Sequence, residues 1–177
     1  YATVLLDSSK QGKIAKVISQ DPDSEGTLVI KKPNEREGGI EFSYSFWIVV
    51  SSLEKLGQWK HLFHKGNKSS YPNRSPGVWL HPNTNDMRIY INTLDNPLSY
   101  VDIKGIPLKK WVNVSMVYNQ QKGNVLDVYV NGLLKKSKKF EQRPQLNDGD
   151  FFINLFGGFD GIIDQIRYYN RALKLKE

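Results

Sequence analysis

The chain has 177 residues, of which 39% are hydrophobic and 12% aromatic, so it can bury a core and is too apolar to be disordered. It contains no cysteine, which excludes disulfides, thiolate chemistry and cysteine-ligated zinc. Its net charge of +7 attracts polyanions, but no nucleic-acid-binding motif accompanies that charge, so we expect no specific nucleic-acid partner.

The first half of the chain alternates short β-rich runs with polar loops. Residues 1–6 are expected to pair with a late strand, and residues 27–30 are predicted as a further strand. The longest run spans residues 40–50 and has large apolar side chains at every second position, as in a strand with one buried face. One helical turn is expected at residues 53–56 and another strand at residues 59–64.

The second half carries the strongest strand signals. Residues 77–80 and 87–93 are predicted to form a hairpin, and a strand is expected at residues 98–103. Residues 111–118 and 126–131 then alternate around a polar, glycine-containing loop. Asn131-Gly132 is a turn signal that predicts a second hairpin directly afterwards. We expect Trp111 and Val128 to be buried in this central unit.

Strands at residues 151–155 and 162–168 complete a set of about twelve short strands with almost no helix. This pattern predicts an all-β fold, a two-sheet antiparallel β-sandwich. We find no internal repeat and no linker, so we expect a single domain over residues 1–177. Because the chain opens within an apolar segment and shows no signal peptide, we expect it to be a domain excised from a longer protein.

Three blocks of sequence carry a family resemblance. They are WVNVSMVYNQQKGNVLDVYVNG at 111–132, GGFDGIIDQIRYYNRAL at 157–173 and FSYSFWIVV at 42–50. Over roughly residues 27–175 the chain resembles the LamG-like group of the concanavalin A-like lectin/glucanase superfamily. The resemblance implies a jelly roll with one concave and one convex sheet. The sequence of residues 76–80 and 168–173 is most similar to that of LamG-like domains in large DNA-virus proteins. This similarity implies a cell-surface or virion-associated location.

The superfamily includes glucanases, so hydrolysis has to be considered. Glycoside hydrolysis needs two carboxylates about 5 to 10 Å apart, and the glucanase motif Glu-x-Asp-x-x-Glu does not occur in this sequence. Asp160 and Asp164 are expected to cap a turn, the three histidines have no cysteine partner, and there is no Gly-x-Ser-x-Gly elbow. We therefore expect no enzymatic activity and no catalytic residue.

Many LamG-like domains carry one calcium ion on the rim of the sandwich. A structural calcium is the one cofactor that the resemblance implies, and Asp86, Asp148 and Asp150 are candidate oxygen donors. Aspartates are also common in turns because they bond the local backbone. We therefore predict no ligand set.

Strand alternation predicts a binding face. If Val78 and Val128 face the core, their neighbours in sequence face outward and present three aromatic rings among polar groups. The predicted ligand-binding residues are Trp79, Arg88, Tyr90, Asn92, Asp127, Tyr129 and Asn131. Rings stack on sugars while amides and carboxylates bond hydroxyls, so this set predicts a platform for a carbohydrate or glycoconjugate. The platform would be lost if a loop or a partner domain covered the rings, or if the strand order separated them.

A second candidate is the basic segment after the second turn. The predicted polyanion-binding residues are Lys135, Lys136, Lys138, Lys139 and Arg143. The resemblance implies sulfated or uronic polysaccharides as ligands of such a patch, although a charge run is often only a solvated face. Binding that depends steeply on salt would indicate a polyanion.

These features predict a non-catalytic, lectin-like recognition module, most directly for carbohydrate. The alternative is a structural or protein–protein interaction module of a larger assembly. No apolar run reaches about 18 residues, so no membrane span is expected.

Overall fold

A computed structural model describes residues 2–36 and 39–175 of the chain. Its regular secondary structure within those ranges consists of fourteen β-strands and no helix. The described residues accordingly include no helix that could cross a membrane.

The strands are numbered in chain order. They are β1 (Thr3–Leu6), β2 (Lys10–Gln11), β3 (Lys16–Ile18), β4 (Asn34–Arg36), β5 (Gly39–Val50), β6 (Lys60–Gly66), β7 (Arg74–Leu80), β8 (Met87–Tyr90), β9 (Tyr100–Ile103), β10 (Val112–Asn119), β11 (Val125–Val130), β12 (Leu133–Lys139), β13 (Asp150–Ile153) and β14 (Gly161–Tyr169).

The strands form two sheets. The eight-stranded sheet has the order β1-β14-β5-β10-β11-β12, with β2 on β14 and β4 on β5, and the six-stranded sheet has the order β3-β13-β6-β7-β8-β9. Every pairing between these strands is antiparallel. The predicted all-β, two-sheet antiparallel sandwich is therefore confirmed. The edge strands β9 and β12 approach each other on one side of the sandwich.

The core lies between the sheets and follows from the alternation along each strand. On β5, Phe42, Tyr44, Phe46 and Ile48 are buried, as predicted. Phe42 is opposite Tyr118 of β10, and their rings stack with centroids 5.3 Å apart. Each large apolar side chain buried in this way contributes about 1.5–3 kcal/mol to folding.

The two predicted central hairpins are present. β10, β11 and β12 are neighbours in that order, and Val128 is fully buried. Asn131 and Gly132 have φ values of 51° and 79°, which is why this dipeptide can close the turn between β11 and β12. The expected pairing of the N-terminal strand with a late strand is also confirmed, as β1 pairs with β14.

Three local expectations are wrong. Residues 27–30 form no strand, because the Gln20 side chain accepts from the Ile30 N–H and donates to the Leu28 carbonyl, replacing a β ladder. Residues 53–56 contain a bend and a turn and no helix. Trp111 is 46% exposed. Since Val112 faces the core, its neighbour Trp111 faces the other way.

Candidate functional site

The strand order separates the seven residues that were predicted to form one platform. Trp79, Arg88 and Tyr90 lie on the six-stranded sheet, whereas Asp127 and Tyr129 lie on the eight-stranded sheet. Both groups face away from the core, so they lie on opposite sides of the sandwich. The prediction of a single platform is wrong, because alternation assigns a face within each strand but not the sheet to which the strand belongs.

The two asparagines of the predicted platform support the backbone. Asn92 is buried; its Oδ1 accepts from the Arg74 N–H, and its Nδ2 donates to the carbonyls of Pro72 and Pro97, at 2.7 Å each. Asn131 is exposed at its turn and accepts from the Asn113 N–H at 2.9 Å. Asn92 therefore joins β7 to the loop before β9, while Asn131 closes the turn after β11.

Trp79 belongs to a covered group of rings that we call the histidine cluster: His61, His64, Trp79, Phe152 and Phe156. The ring of Phe156 stacks on Trp79 with centroids 5.6 Å apart and an interplanar angle of 15°. Gly158 allows the loop carrying Phe156 to pack this closely, since a Cβ there would overlap the carbonyl oxygen of Gly12. A loop thus covers Trp79, one of the two outcomes that would remove it from an open platform.

The two histidines of this cluster form a directed hydrogen-bond chain. His64 Nε2 donates to the Asn67 carbonyl at 2.8 Å, so His64 Nδ1 accepts from His61 Nε2 at 2.7 Å. His61 Nδ1 in turn accepts from the Leu155 N–H at 2.9 Å. Both rings are neutral in this arrangement. Burial lowers the pKa of His64 to about 4 and lowers the pKa of His61 well below its usual value.

Arg88 and Tyr90 belong to a different group on the same face, the arginine–tyrosine cluster: Arg74, Arg88, Tyr90, Tyr100 and Asp102. The guanidinium of Arg74 lies 3.6 Å from the ring centroid of Tyr90, and that of Arg88 lies 3.7 Å from the centroid of Tyr100. Such stacking is favourable because the ring face is electronegative. Tyr100 keeps 41% of its surface exposed.

Asp102 fixes the position of the Arg88 side chain. Arg88 donates from Nε to Oδ1 at 2.8 Å and from the NH2 nitrogen to Oδ2 at 3.0 Å, while His81 Nε2 donates to Oδ1 at 2.9 Å. Partial burial alone would raise the pKa of Asp102, but the bonds from Arg88 and His81 outweigh it and lower that pKa. The hydrogen bonds from Arg88 to Asp102 also raise the pKa of Arg88.

Tyr100 and Asp102 also border a polar cleft of about 520 Å³ between the edge strands of the two sheets, which we call the edge cleft. Lysines from β12 lie across it from the carboxylate of Asp95 and the hydroxyls of Thr93 and Ser99, in the loop before β9. Its lining residues are Thr93, Asp95, Asn96, Leu98, Ser99, Tyr100, Val101, Asp102, Lys136, Lys138, Lys139, Phe140 and Glu141.

The edge cleft divides the predicted basic patch. Lys136 and Lys138 pair with the core-facing Val128 and Leu126, so they lie on the core side of an edge strand and reach into the cleft. Lys139 also lines it. Lys135 occupies the bulge in β12, and Arg143 is exposed in the following loop. Three of the five predicted cations therefore share one site with Tyr100.

The aspartates considered as metal ligands or catalytic groups bond residues that are distant in sequence, and Asp164 lies within β14, so the expectation that it caps a turn is wrong. Asp86 accepts from the Gly105 N–H, Asp150 from the Gln20 N–H and Asp160 from the Ser52 hydroxyl. Asp164 accepts from the Ser9 hydroxyl. Within residues 2–36 and 39–175 no group of three histidine, cysteine or acidic side chains could hold a metal ion.

A protein-family model matches most of the chain. Residues 24–177 match a laminin G family described as belonging to the concanavalin A-like lectin/glucanases superfamily. The chain belongs to the concanavalin A-like lectin/glucanase superfamily. The resemblance noted in the sequence blocks is thereby confirmed. No curated protein matches the sequence.

Solved structures similar to this fold include binding domains of botulinum neurotoxin D and of Paraclostridial Mosquitocidal Protein 1. The ligand binding domain of botulinum neurotoxin serotype D, in complex with N-acetylneuraminic acid, is similar with a TM-score of 0.64 and 16% identity over 97% of this chain and 48% of that one. The receptor binding domain of botulinum neurotoxin D gives 0.62 and 17% over 97% and 50%. The binding domain of Paraclostridial Mosquitocidal Protein 1 gives 0.60 and 19% over 95% and 45%.

This chain spans about half the length of those structures or less, and at these identities the likeness shows the fold alone. Sequence reasoning missed Tyr100, Asp102 and the contribution of the loop at residues 93–99 to a site. The signal was present, since Val101 and Ile103 alternate with Tyr100 and Asp102 in a segment already predicted as a strand. The predicted binding residues did not include the outward residues of that strand.

Proposed function

We propose that the chain is a non-catalytic carbohydrate-recognition module that binds a sugar in the edge cleft and against Tyr100. The observation that carries this proposal is one exposed aromatic ring beside a cleft lined by three lysines, three carboxylates and two hydroxyl side chains. The site includes Lys136, Lys138 and Lys139 of the predicted basic patch and adds Tyr100 and Asp102. Arg88 and Tyr90 of the predicted platform contact the Tyr100 ring from outside the cleft.

The polar lining suits a polyhydroxyl ligand. Each sugar hydroxyl can donate and accept, so it pairs best with a wall that offers both donors and acceptors. Lys136 and Lys138 supply ammonium donors from one edge strand, and Asp95 supplies a carboxylate from the opposite loop. Thr93 bonds both Asp95 and Ser99, at 2.7 and 2.8 Å, which holds that wall in place.

Tyr100 supplies the stacking surface that such sites use for the apolar face of a sugar ring. Arg88 over Tyr100, fixed in turn by Asp102, limits the rotation of the ring before any ligand arrives. Pre-ordering of this kind reduces the entropic cost of binding. The superfamily fold is shared with a toxin domain described in complex with N-acetylneuraminic acid, which supports sugar binding as a use of this fold class.

A second candidate is polyanion binding through electrostatics alone, favoured by the run of exposed lysines on β12. The other alternative is a structural or protein–protein module, since exposed tyrosine and arginine are also enriched at protein interfaces. A place on a cell or virion surface remains a prediction from the sequence resemblance.

The test is a glycan array on the domain, followed by titration of the best glycan against Tyr100→Ala. The loss of one stacking ring should weaken binding about five- to thirtyfold with little change in melting temperature. Trp47→Ala is the matched control, since Trp47 is an exposed ring on the other sheet and should leave binding unchanged.

A pair of lysine variants separates the sugar proposal from polyanion binding. Lys136→Gln with Lys138→Gln removes two cleft lysines, whereas Lys122→Gln with Lys135→Gln removes the same charge outside the cleft. The sugar site predicts that only the first pair weakens binding. Equal weakening by both pairs, together with a steep salt dependence, would indicate a polyanion. Self-association in light scattering without any array signal would support the protein–protein alternative.

A further inference from the structure

Three exposed apolar side chains lie on loops at one end of the sandwich. Ile14 lies between β2 and β3, Leu56 between β5 and β6, and Phe156 between β13 and β14, with exposed fractions of 50%, 68% and 45%. The three loops leave the sheets at the same end, because β2 and β5 both end beside the start of β14. We call these three side chains the apolar loop tips. Exposed apolar groups brought together in this way mark a surface that contacts a partner.

Contacts between the three loops fix the positions of the apolar loop tips. An ion pair joins the first loop to the second. Gln58 Nε2 of the second loop donates to the Phe156 carbonyl at 3.4 Å, and Asn154 Nδ2 of the third loop donates to the Ile14 carbonyl at 3.1 Å. Each loop is therefore bound to both of the others. Docking through these tips would carry little cost of loop ordering.

Lysines outnumber carboxylates at this end. The loops before β8 and β10 lie here too, since each hydrogen-bonds the chain at or just after the end of β5. The exposed lysines of these loops and strand ends are Lys13, Lys16, Lys55, Lys104, Lys109 and Lys110, and the carboxylates of the same segments are Glu54, Asp86 and Asp160.

Most of those lysines keep their charge free. Two are ion-paired, Lys13 with Glu54 and Lys104 with Asp86. The third carboxylate, Asp160, is half-buried and accepts from a serine hydroxyl of the second loop at 2.6 Å. The other four lysines have no ion pair within the part of the chain that the structure describes. The apolar loop tips are therefore surrounded by a net positive charge.

This combination fits the surface of a bilayer that contains anionic lipids. Binding in the headgroup region increases with the apolar area that is inserted and with the attraction of lysines to the negative surface. A protein partner would need about 800 Å² on each side for a stable contact. The exposed parts of three large side chains supply less than about half of that area, since even an aromatic residue buries only about 150–250 Å² when it is fully covered.

We propose that this end of the sandwich docks on a bilayer containing anionic lipids, with the apolar loop tips inserted among the headgroups and the lysines at the membrane surface. The edge cleft then faces away from the bilayer. Its loop at residues 93–99 follows the end of β8 at Tyr90, whereas Met87 begins that strand at the docking end, next to the start of β6. Membrane docking and sugar binding therefore use opposite ends of the molecule, and neither depends on the other.

Sedimentation with lipid vesicles tests this proposal. The folded 177-residue chain is titrated with vesicles of phosphatidylcholine and phosphatidylserine, and separately with vesicles of phosphatidylcholine alone. The chain should bind the mixed vesicles more tightly. Added salt should weaken that binding without abolishing it, since salt screens the lysines but not the inserted apolar groups. Absence of binding to the mixed vesicles, or complete release by salt, would overturn the proposal.

Serine substitutions show whether the apolar loop tips are the part that inserts. Ile14→Ser with Leu56→Ser should weaken binding to the mixed vesicles at least about tenfold, because two apolar side chains no longer insert. Leu28→Ser with Val29→Ser is the matched control at the opposite end, where both residues are exposed, and it should leave binding unchanged. Cooperative unfolding in urea shows that each variant is folded, and Leu56→Ser alone decides if the double variant is not. Equal weakening by the two double variants would contradict insertion of the tips.

A single introduced thiol measures insertion itself, since the chain has no cysteine of its own. Leu56→Cys carrying a polarity-sensitive fluorophore should shift its emission to shorter wavelength when mixed vesicles are added. Val29→Cys with the same label should show no shift. An unshifted emission at position 56 would mean that this loop stays in water, and the proposal would be wrong.

Paired lysine variants separate docking through this end from a general attraction of a basic chain. Lys55→Gln with Lys110→Gln removes two charges from the docking end, and Lys32→Gln with Lys122→Gln removes the same charge from the opposite end. Only the first pair should weaken binding to the mixed vesicles, by at least about fivefold. Equal weakening by both pairs would mean that the charge of the whole chain, and not this end, brings it to the vesicles. Sugar titrations of the edge cleft should be unchanged in all of these variants, so the two proposals fail independently.

Discussion

The outward faces of the two sheets differ in how their aromatic residues are held. On the six-stranded sheet, Phe156 stacks on Trp79 and Arg74 on Tyr90, so both rings have a second layer over them. Arg88 lies over Tyr100, which nevertheless stays 41% exposed. The centre of the eight-stranded sheet instead carries short polar side chains, with Ser115 bonding Ser45 at 3.3 Å. Its outward tryptophans, Trp47 and Trp111, are 37% and 46% exposed.

This difference shows that strand alternation predicts the side of the sheet on which a residue lies but does not predict whether that residue is covered by other side chains. Alternation places Trp79 and Trp47 equally on outward faces, but only Trp79 is covered by a loop. The covering comes from residues that are distant in sequence, such as Phe156 and Arg74. Stability should therefore depend on the outward face of the six-stranded sheet much more than on that of the eight-stranded sheet.

The largest expected effect is acid destabilisation through the histidine cluster. In the unfolded chain His64 takes up a proton near pH 6.5, whereas in the folded chain it does so only near pH 4. Since the unfolded state binds more protons between these values, the free energy of unfolding should fall by about 3 kcal/mol as pH drops from 6.5 to 4. His61 acts in the same direction because its pKa is also lowered.

Urea unfolding measured at several pH values between 7 and 4 would show this loss. The control is His64→Gln, which cannot be protonated there and should show a shallower dependence over the same interval, even if it is less stable at pH 7. A variant with the same slope as the parent chain would mean that the histidine cluster does not resist protonation.

A smaller loss is expected from Arg88→Ala in the arginine–tyrosine cluster. The change removes two charge-assisted hydrogen bonds to Asp102 and the stacking on Tyr100, and it should cost about 2 kcal/mol. Arg167→Ala is the matched control on the other sheet, where Arg167 is exposed and pairs with Ser45, and it should cost less than about 0.5 kcal/mol. Equal losses in chemical denaturation would remove the distinction between the two faces.

Removal of the ring that covers Trp79 tests the second layer directly. Phe156 is itself 45% exposed, so Phe156→Ala should cost only about 1–2 kcal/mol. It should also make the histidine cluster easier to protonate, because water would reach His61. Urea unfolding at pH 7 and pH 5 measures both effects. An unaltered pH dependence would show that Phe156 does not exclude water from His61 and His64.

The sequence predicted the sandwich well because strand alternation and turn chemistry are local. Asn131-Gly132 specifies its own turn, and Phe42 to Ile48 specify their own buried face. The candidate site was predicted only in part, since sheet membership is decided by pairing between distant strands. Arg88 and Tyr90 were identified correctly as outward residues, yet nothing near them in sequence shows that β9 and β12 bring Tyr100 and Lys136 to the same cleft.

Failed local predictions have equally specific causes. Residues 27–30 have strand composition, but the side chain of Gln20 occupies their backbone groups. Trp111 was assigned to the core because large aromatic residues usually stabilise cores, although the alternation that buries Val112 and Val114 places it on the opposite side.

Trp111 therefore provides the smallest expected effect and the sharpest contrast. It precedes β10 on the outward side, and Trp111→Ala should cost less than about 1 kcal/mol, because nearly half of the ring is already in water. Trp79→Ala makes the same chemical change under a stacked layer and should cost about 3 kcal/mol, since it removes the contacts to both Phe156 and His61. Both variants lose the same side chain from an outward face. The difference between their free energies of unfolding, measured in urea at pH 7, therefore gives the contribution of the layer that covers Trp79. Similar losses in both variants would mean that the layer over Trp79 adds nothing to stability, and the proposed difference between the two sheet faces would have to be abandoned.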